Sequence, residues 1–77
     1  MRVSLESTTK IVRLMVEGRE VPARIWEGQT ESGIPCHAYI TRIAVADGLD
    51  ASEFERELVE HRRATPAVDA IPARLII

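Results

Sequence analysis

Apolar and polar residues alternate along much of residues 10–45, the period of a β-strand rather than of a helix. Over residues 10–17, Val12, Leu14 and Val16 fall on one face and Ile11, Arg13 and Met15 on the other. Glu17-Gly18-Arg19-Glu20 then reads as a tight turn, with Gly18 supplying the positive φ of a primed hairpin turn. The second strand is predicted over residues 21–27, with Val21, Ala23 and Ile25 on one face and Pro22, Arg24 and Trp26 on the other. Pro22 has no amide proton, so it belongs at the start of a strand or on an unpaired side. The polar, glycine-bounded residues 28–33 read as the loop of a second hairpin, and residues 34–45 as a third strand long enough to bend.

After Asp47-Gly48 the period changes. Asp50 with Glu53 three positions later is an aspartate version of the capping box, and Leu49 and Phe54 are spaced as a hydrophobic staple. A helix is expected from there to about residue 64, where Pro66 disfavours helical geometry at Thr65. Its apolar stripe is Phe54, Leu58 and Val59, and its late Arg62-Arg63 complements the helix dipole. Residues 71–77 form a last strand ending on Leu75, Ile76 and Ile77, a tail apolar enough to be docked rather than frayed. Residues 1–9, with Ser4, Ser7, Thr8 and Thr9, show no clear period and read as a loose N-terminal leader of a single domain spanning residues 1–77.

The predicted fold class is therefore α+β, in the order β-β-β-α-β: a small, mainly antiparallel sheet with a three-strand meander, one helix on one face and a C-terminal fourth strand. A right-handed crossover through the helix would set the fourth strand parallel to the first and beside it. The helix is expected to cover the face of Val12, Leu14, Val16, Val21, Ala23, Ile25, Tyr39, Ile43 and Leu75.

That leaves the other face open. Four arginines each precede a leucine or isoleucine, at Arg13-Leu14, Arg24-Ile25, Arg42-Ile43 and Arg74-Leu75, so strand geometry sends the aliphatic side chain one way and the guanidinium the other. The candidate partner-binding face is Arg13, Met15, Arg24, Trp26, Ile40, Arg42, Arg74 and Ile76, an apolar surface studded with cations and larger than a small monomer usually exposes.

Composition narrows what such a face would meet. At 45% hydrophobic and 29% charged residues the chain is far too apolar for disorder, and at 77 residues its core must be thin. The single cysteine, Cys36, cannot form an internal disulfide, which favours a cytoplasmic setting, and no apolar run approaches the roughly 18 residues of a membrane span. Size and composition suit an accessory protein of a bacterium, phage or mobile element.

The expected partner is a second copy of the chain, giving a homodimer through the uncovered sheet face or a sheet edge, with Glu17, Glu20, Glu27 and Glu31 available to the arginines of the other copy. The alternative is a nucleic-acid-binding domain using the arginines and Trp26. Against that stand a net charge of -2 and only five basic residues beside four acidic ones in residues 10–45. No enzymatic activity is expected. Cys36 and His37 are neighbours on a strand and so point to opposite faces, and His37 and His61 have no evident third metal ligand. No cofactor, metal or small-molecule substrate follows from the sequence.

Overall fold

Glu17 and Gly18 both take positive φ, 51° and 78°, and so build the primed two-residue turn that folds the chain back on itself. The computed structural model, which describes residues 1–76, shows this hairpin as the spine of the molecule. Its arms are β1 (Val3–Val16) and β2 (Arg19–Thr30), with Val16 opposite Arg19 and Val3 opposite Thr30. A second turn leads to β3 (Pro35–Ile40), antiparallel to β2. After α1 (Ser52–Leu58) and α2 (Pro66–Asp69), β4 (Arg74–Ile76) lies parallel to β1, giving the sheet order β3-β2-β1-β4. The α+β class, the meander and the parallel last strand beside the first are as the sequence predicts. Ile77, included in the predicted last strand, lies outside the described residues.

Residues 3–9 are not a loose leader: they extend β1, and residues 3–7 pair with the far half of β2. Three of the residues assigned to a loop, Gly28, Gln29 and Thr30, are correspondingly in β2. The signal is Gly28. A Cβ there would lie 1.8 Å from the Ser4 carbonyl oxygen, so only glycine lets the two backbones approach this closely. Gly28→Ala should therefore prise residues 3–7 from β2 and cost about 2–3 kcal/mol. Faster amide exchange of Ser4 and Glu6, whose backbone groups face β2, than in the wild type would show it.

Between Ser7 and Ile11 the register shifts, so that Thr8, Thr9 and Lys10 oppose Ile25 alone, a bulge with two surplus residues. Thr8 is fully buried in it. Its hydroxyl donates to the Ile25 carbonyl (2.6 Å) and its own carbonyl accepts from the Arg24 guanidinium (2.8 Å). The kink opens the outer edge of β1, and Arg62 enters it as a one-residue bridge: its amide donates to the Ser7 carbonyl and its carbonyl accepts from the Thr9 amide.

That bridge explains the main departure from the predicted helix. Instead of one helix to about residue 64, the chain makes two short ones, α1 ending at Leu58, with Arg62 pulled into strand pairing between them. The predicted capping box is not formed: Ala51 is the N-cap residue without a side-chain cap and Glu53 pairs with Arg56, while the Asp50 carboxylate accepts from the Ser52 amide (2.9 Å). That bond holds the Asp50 carboxyl below its ordinary range.

The helix expected over the Val12 face is not there. Val12, Leu14, Ala23 and Ile25 are covered by Ala64 and Val68, with Val21, Ile71 and Leu75 packed around them. No residue of α1 is buried. Crossing the β1 edge at Arg62 carries the chain from one side of the sheet to the other, so α1 sits on the side of Trp26 and α2 on the side of Ile25. The predicted third strand also stops early, at Ile40, which leaves Arg42 and Ile43 outside the sheet.

Candidate functional site

Pairing register sets the neighbours on the face opposite the core. Arg74 is beside Arg13, and Ile76 is beside Met15, which faces Glu20. Further along, Ile11, Arg24 and Ile40 form one row, and Ser7, Trp26 and Ala38 the next. Seven of the eight predicted residues thus share one side of the sheet, with Arg42 just beyond the end of β3.

The face divides into two regions. Near the hairpin turn, Glu20 takes both Arg13 (3.8 Å) and Arg74 (3.7 Å) as exposed ion partners, pairs that contribute little stability but occupy the cations. Glu20 therefore serves arginines of its own chain. Ile76 is 87% exposed at this end.

Nearer the bulge the face is partly roofed. Trp26, Ile43 and Leu58 line two adjoining cavities of about 320 and 190 Å³ between the sheet and α1. The larger also has Ile11, Ile40, Arg24, Arg42 and His61 on its walls. The Ser7 hydroxyl donates to the Glu60 carbonyl (2.8 Å) and accepts from His61 Nδ1 (3.0 Å), because its single proton is already used.

Glu27 departs most from expectation. It was grouped with the acidic residues open to another copy, but it lies on the core face, 6% exposed. Its Oε1 accepts from Arg62 Nη1 (2.7 Å) and from the Thr65 amide (2.7 Å), and its Oε2 from the Thr65 hydroxyl (2.8 Å). Burial opposes its ionisation, yet the Thr65 amide, the Arg62 guanidinium and the Thr65 hydroxyl together outweigh it and hold the carboxyl below its ordinary value. Arg62 in turn spans Glu27 and the exposed Glu6 (3.2 Å). A signal for this was present: Glu27 continues the parity of Val21, Ala23 and Ile25, and a carboxylate in a core row needs a cation opposite.

β3 ends the sheet. Among the described residues its outer edge has no strand partner, and Pro-Cys-His-Ala-Tyr-Ile carries no lysine, arginine or carboxylate to discourage one. His37 and Tyr39 stand on the core side of β3, linked Nε2 to hydroxyl at 3.1 Å with their rings edge to face. Cys36 lies in register with Gly28 and points to the other side. His37 and His61 are thus on opposite sides of the sheet. Among the described residues no three His, Cys, Asp or Glu side chains gather as metal ligands, and no helix is long and apolar enough to cross a membrane. Comparison with protein-family models, curated proteins and solved structures finds no match for this chain.

Proposed function

We propose that this chain is a self-associating protein module that acts through contact with a second copy, the β3 edge of one pairing antiparallel with the β3 edge of the other about a twofold axis. The observation that carries the reading is that edge: six residues, uncharged, without a bulge, at the end of an otherwise paired sheet. Edge pairing in this sense joins two four-stranded sheets into one of eight, an isologous contact that both copies make with the same residues.

The thin core supports it. Among the described residues the buried apolar cluster has six members, two of them alanine, while Ile34, Leu49, Val59 and Ile76 are all more than 60% exposed. A chain that buries so little alone gains from covering more. Protein contact is favoured over nucleic acid because Glu20 pairs with both Arg13 and Arg74, so among the described residues of the face Arg24 and Arg42 alone are cations without a carboxylate partner, too few to hold a run of phosphates.

Lysines on an edge strand are an effective block to pairing. His37 and Tyr39 are exposed, so the double variant H37K/Y39K should keep the fold, read by far-ultraviolet circular dichroism, and associate at least ~10-fold more weakly, about 1.4 kcal/mol. Analytical ultracentrifugation of both proteins across the micromolar range is the measurement. A monomeric wild type, or a variant that dimerises as well as the wild type, would remove the proposal.

A further inference from the structure

The roofed end of the sheet has the makings of a small-molecule site, and its chemistry differs from that of the β3 edge. α1 stands over Trp26 without closing on it: the helix buries none of its residues, and two adjoining cavities share Trp26, Ile43 and Leu58. The larger, at about 320 Å³, is within the ordinary size range of ligand sites, and the smaller extends it toward Phe54. The result is an elongated apolar trough rather than a rounded pocket.

Charge gives the trough a direction. The larger cavity has Arg24, Arg42 and His61 on its walls and no carboxylate. Among the described residues neither Arg24 nor Arg42 has a carboxylate within ion-pair distance, although Arg13, Arg56, Arg62 and Arg74 all do. Arg24 is held in place by the Thr8 carbonyl, and Arg42 is exposed at the mouth. The far cavity carries Glu57 instead, which repels an anion from that end.

We propose that this trough binds a small apolar monoanion, an alkyl carboxylate, with its head group on Arg42 beside Arg24 and its tail along Trp26 and Leu58 toward Phe54. A carboxylate matches a guanidinium fork with two parallel hydrogen bonds, and one head group suits the one arginine exposed at the mouth better than a polyanion would. The tail removes from water the exposed Leu58 of α1 and more of the half-buried Phe54.

Trp26 is the chain's only tryptophan, so its fluorescence reports directly on the trough. The full chain is titrated with sodium decanoate below its micellar range, with calorimetry in parallel, and then with decanol and decylammonium. Decanoate should give saturable binding by both methods, and decylammonium should bind at least ~10-fold more weakly, as expected for a charge-assisted hydrogen bond in place of repulsion. Arg42→Gln should weaken decanoate by a similar factor and leave decanol unchanged. The proposal is overturned if decanoate fails to saturate by either method, if decanol or decylammonium binds as tightly, or if Arg42→Gln binds decanoate like the wild type.

Discussion

Glu27→Ala should lower the free energy of unfolding by about 2–3 kcal/mol, the range for losing charge-assisted hydrogen bonds to a buried carboxylate whose partners Arg62 and Thr65 stay within reach of water. The cost arises on the side of the partners. Without the carboxylate, the Thr65 amide and hydroxyl lose their acceptor, and Arg62 is left with the exposed Glu6 and the backbone carbonyls of residue 27 and Arg63. Those bonds hold residues 62–65 against β2, and Ala64, in the middle of that segment, is part of the core. Equilibrium unfolding in urea measures the change, and a loss below 1 kcal/mol would mean that the crossing segment is held by its backbone bridge alone.

The same carboxylate gives stability a pH dependence of definite sign. Its pKa in the folded state is lowered from the ordinary value of 4.5, so the unfolded chain binds the proton more readily. The contribution is complete above 4.5 and is lost as the pH falls through the lower folded value. Glu27→Gln has no such titration. The stability gap between wild type and Glu27→Gln should be constant at neutral pH and narrow steadily once the pH drops below 4.5. A gap independent of pH down to acid unfolding would show that the charge on Glu27 is not what binds the segment.

Ile25→Ala is the second large effect. Ile25 is 0% exposed, the largest fully buried side chain among the described residues, and it sits with Val12, Leu14 and Val68 in a cluster too small to absorb a cavity. Truncation should cost about 3 kcal/mol, combining the lost transfer free energy with the void left behind. For a domain of this size that corresponds to a fall in Tm of roughly 12–24 °C. Thermal unfolding by circular dichroism tests it against Val16→Ala, a half-exposed position on the same face of the sheet, where a loss under about 1 kcal/mol is expected. Equal losses at the two positions would mean that the core is not centred on Ile25.

How far the chain could be read before its structure was known depended on how local each signal was. The Gly18 turn and the parity of Val12, Leu14, Ala23 and Ile25 are set by neighbouring residues, and the structure has both. The parallel fourth strand followed from the handedness of crossovers. What was missed depends on partners distant in sequence. Residues 3–9 have too few apolar positions to look like a strand alone and become one because β2 is there to pair with residues 3–7. Residues 59–63 have helical composition, but the Ser7 and Thr9 backbone groups and the Glu27 carboxylate offer Arg62 more than another helical turn would. Of the candidate face, the sharing of one side was legible. The Glu20 pairing of Arg13 and Arg74 and the roof over Trp26 were not, since both need the tertiary arrangement.

The bulge at Thr8–Lys10 has a last consequence for how the gene could vary. Its surplus is two residues, an even number, so Ser7 and Ile11 emerge on the same side and the identity of each surface survives the kink. A one-residue insertion or deletion in this stretch would invert everything upstream, turning Glu6 away from Arg62 and Leu5 toward it. Length changes here are tolerable only in pairs, a parity rule written into the hairpin and independent of which side chains it carries.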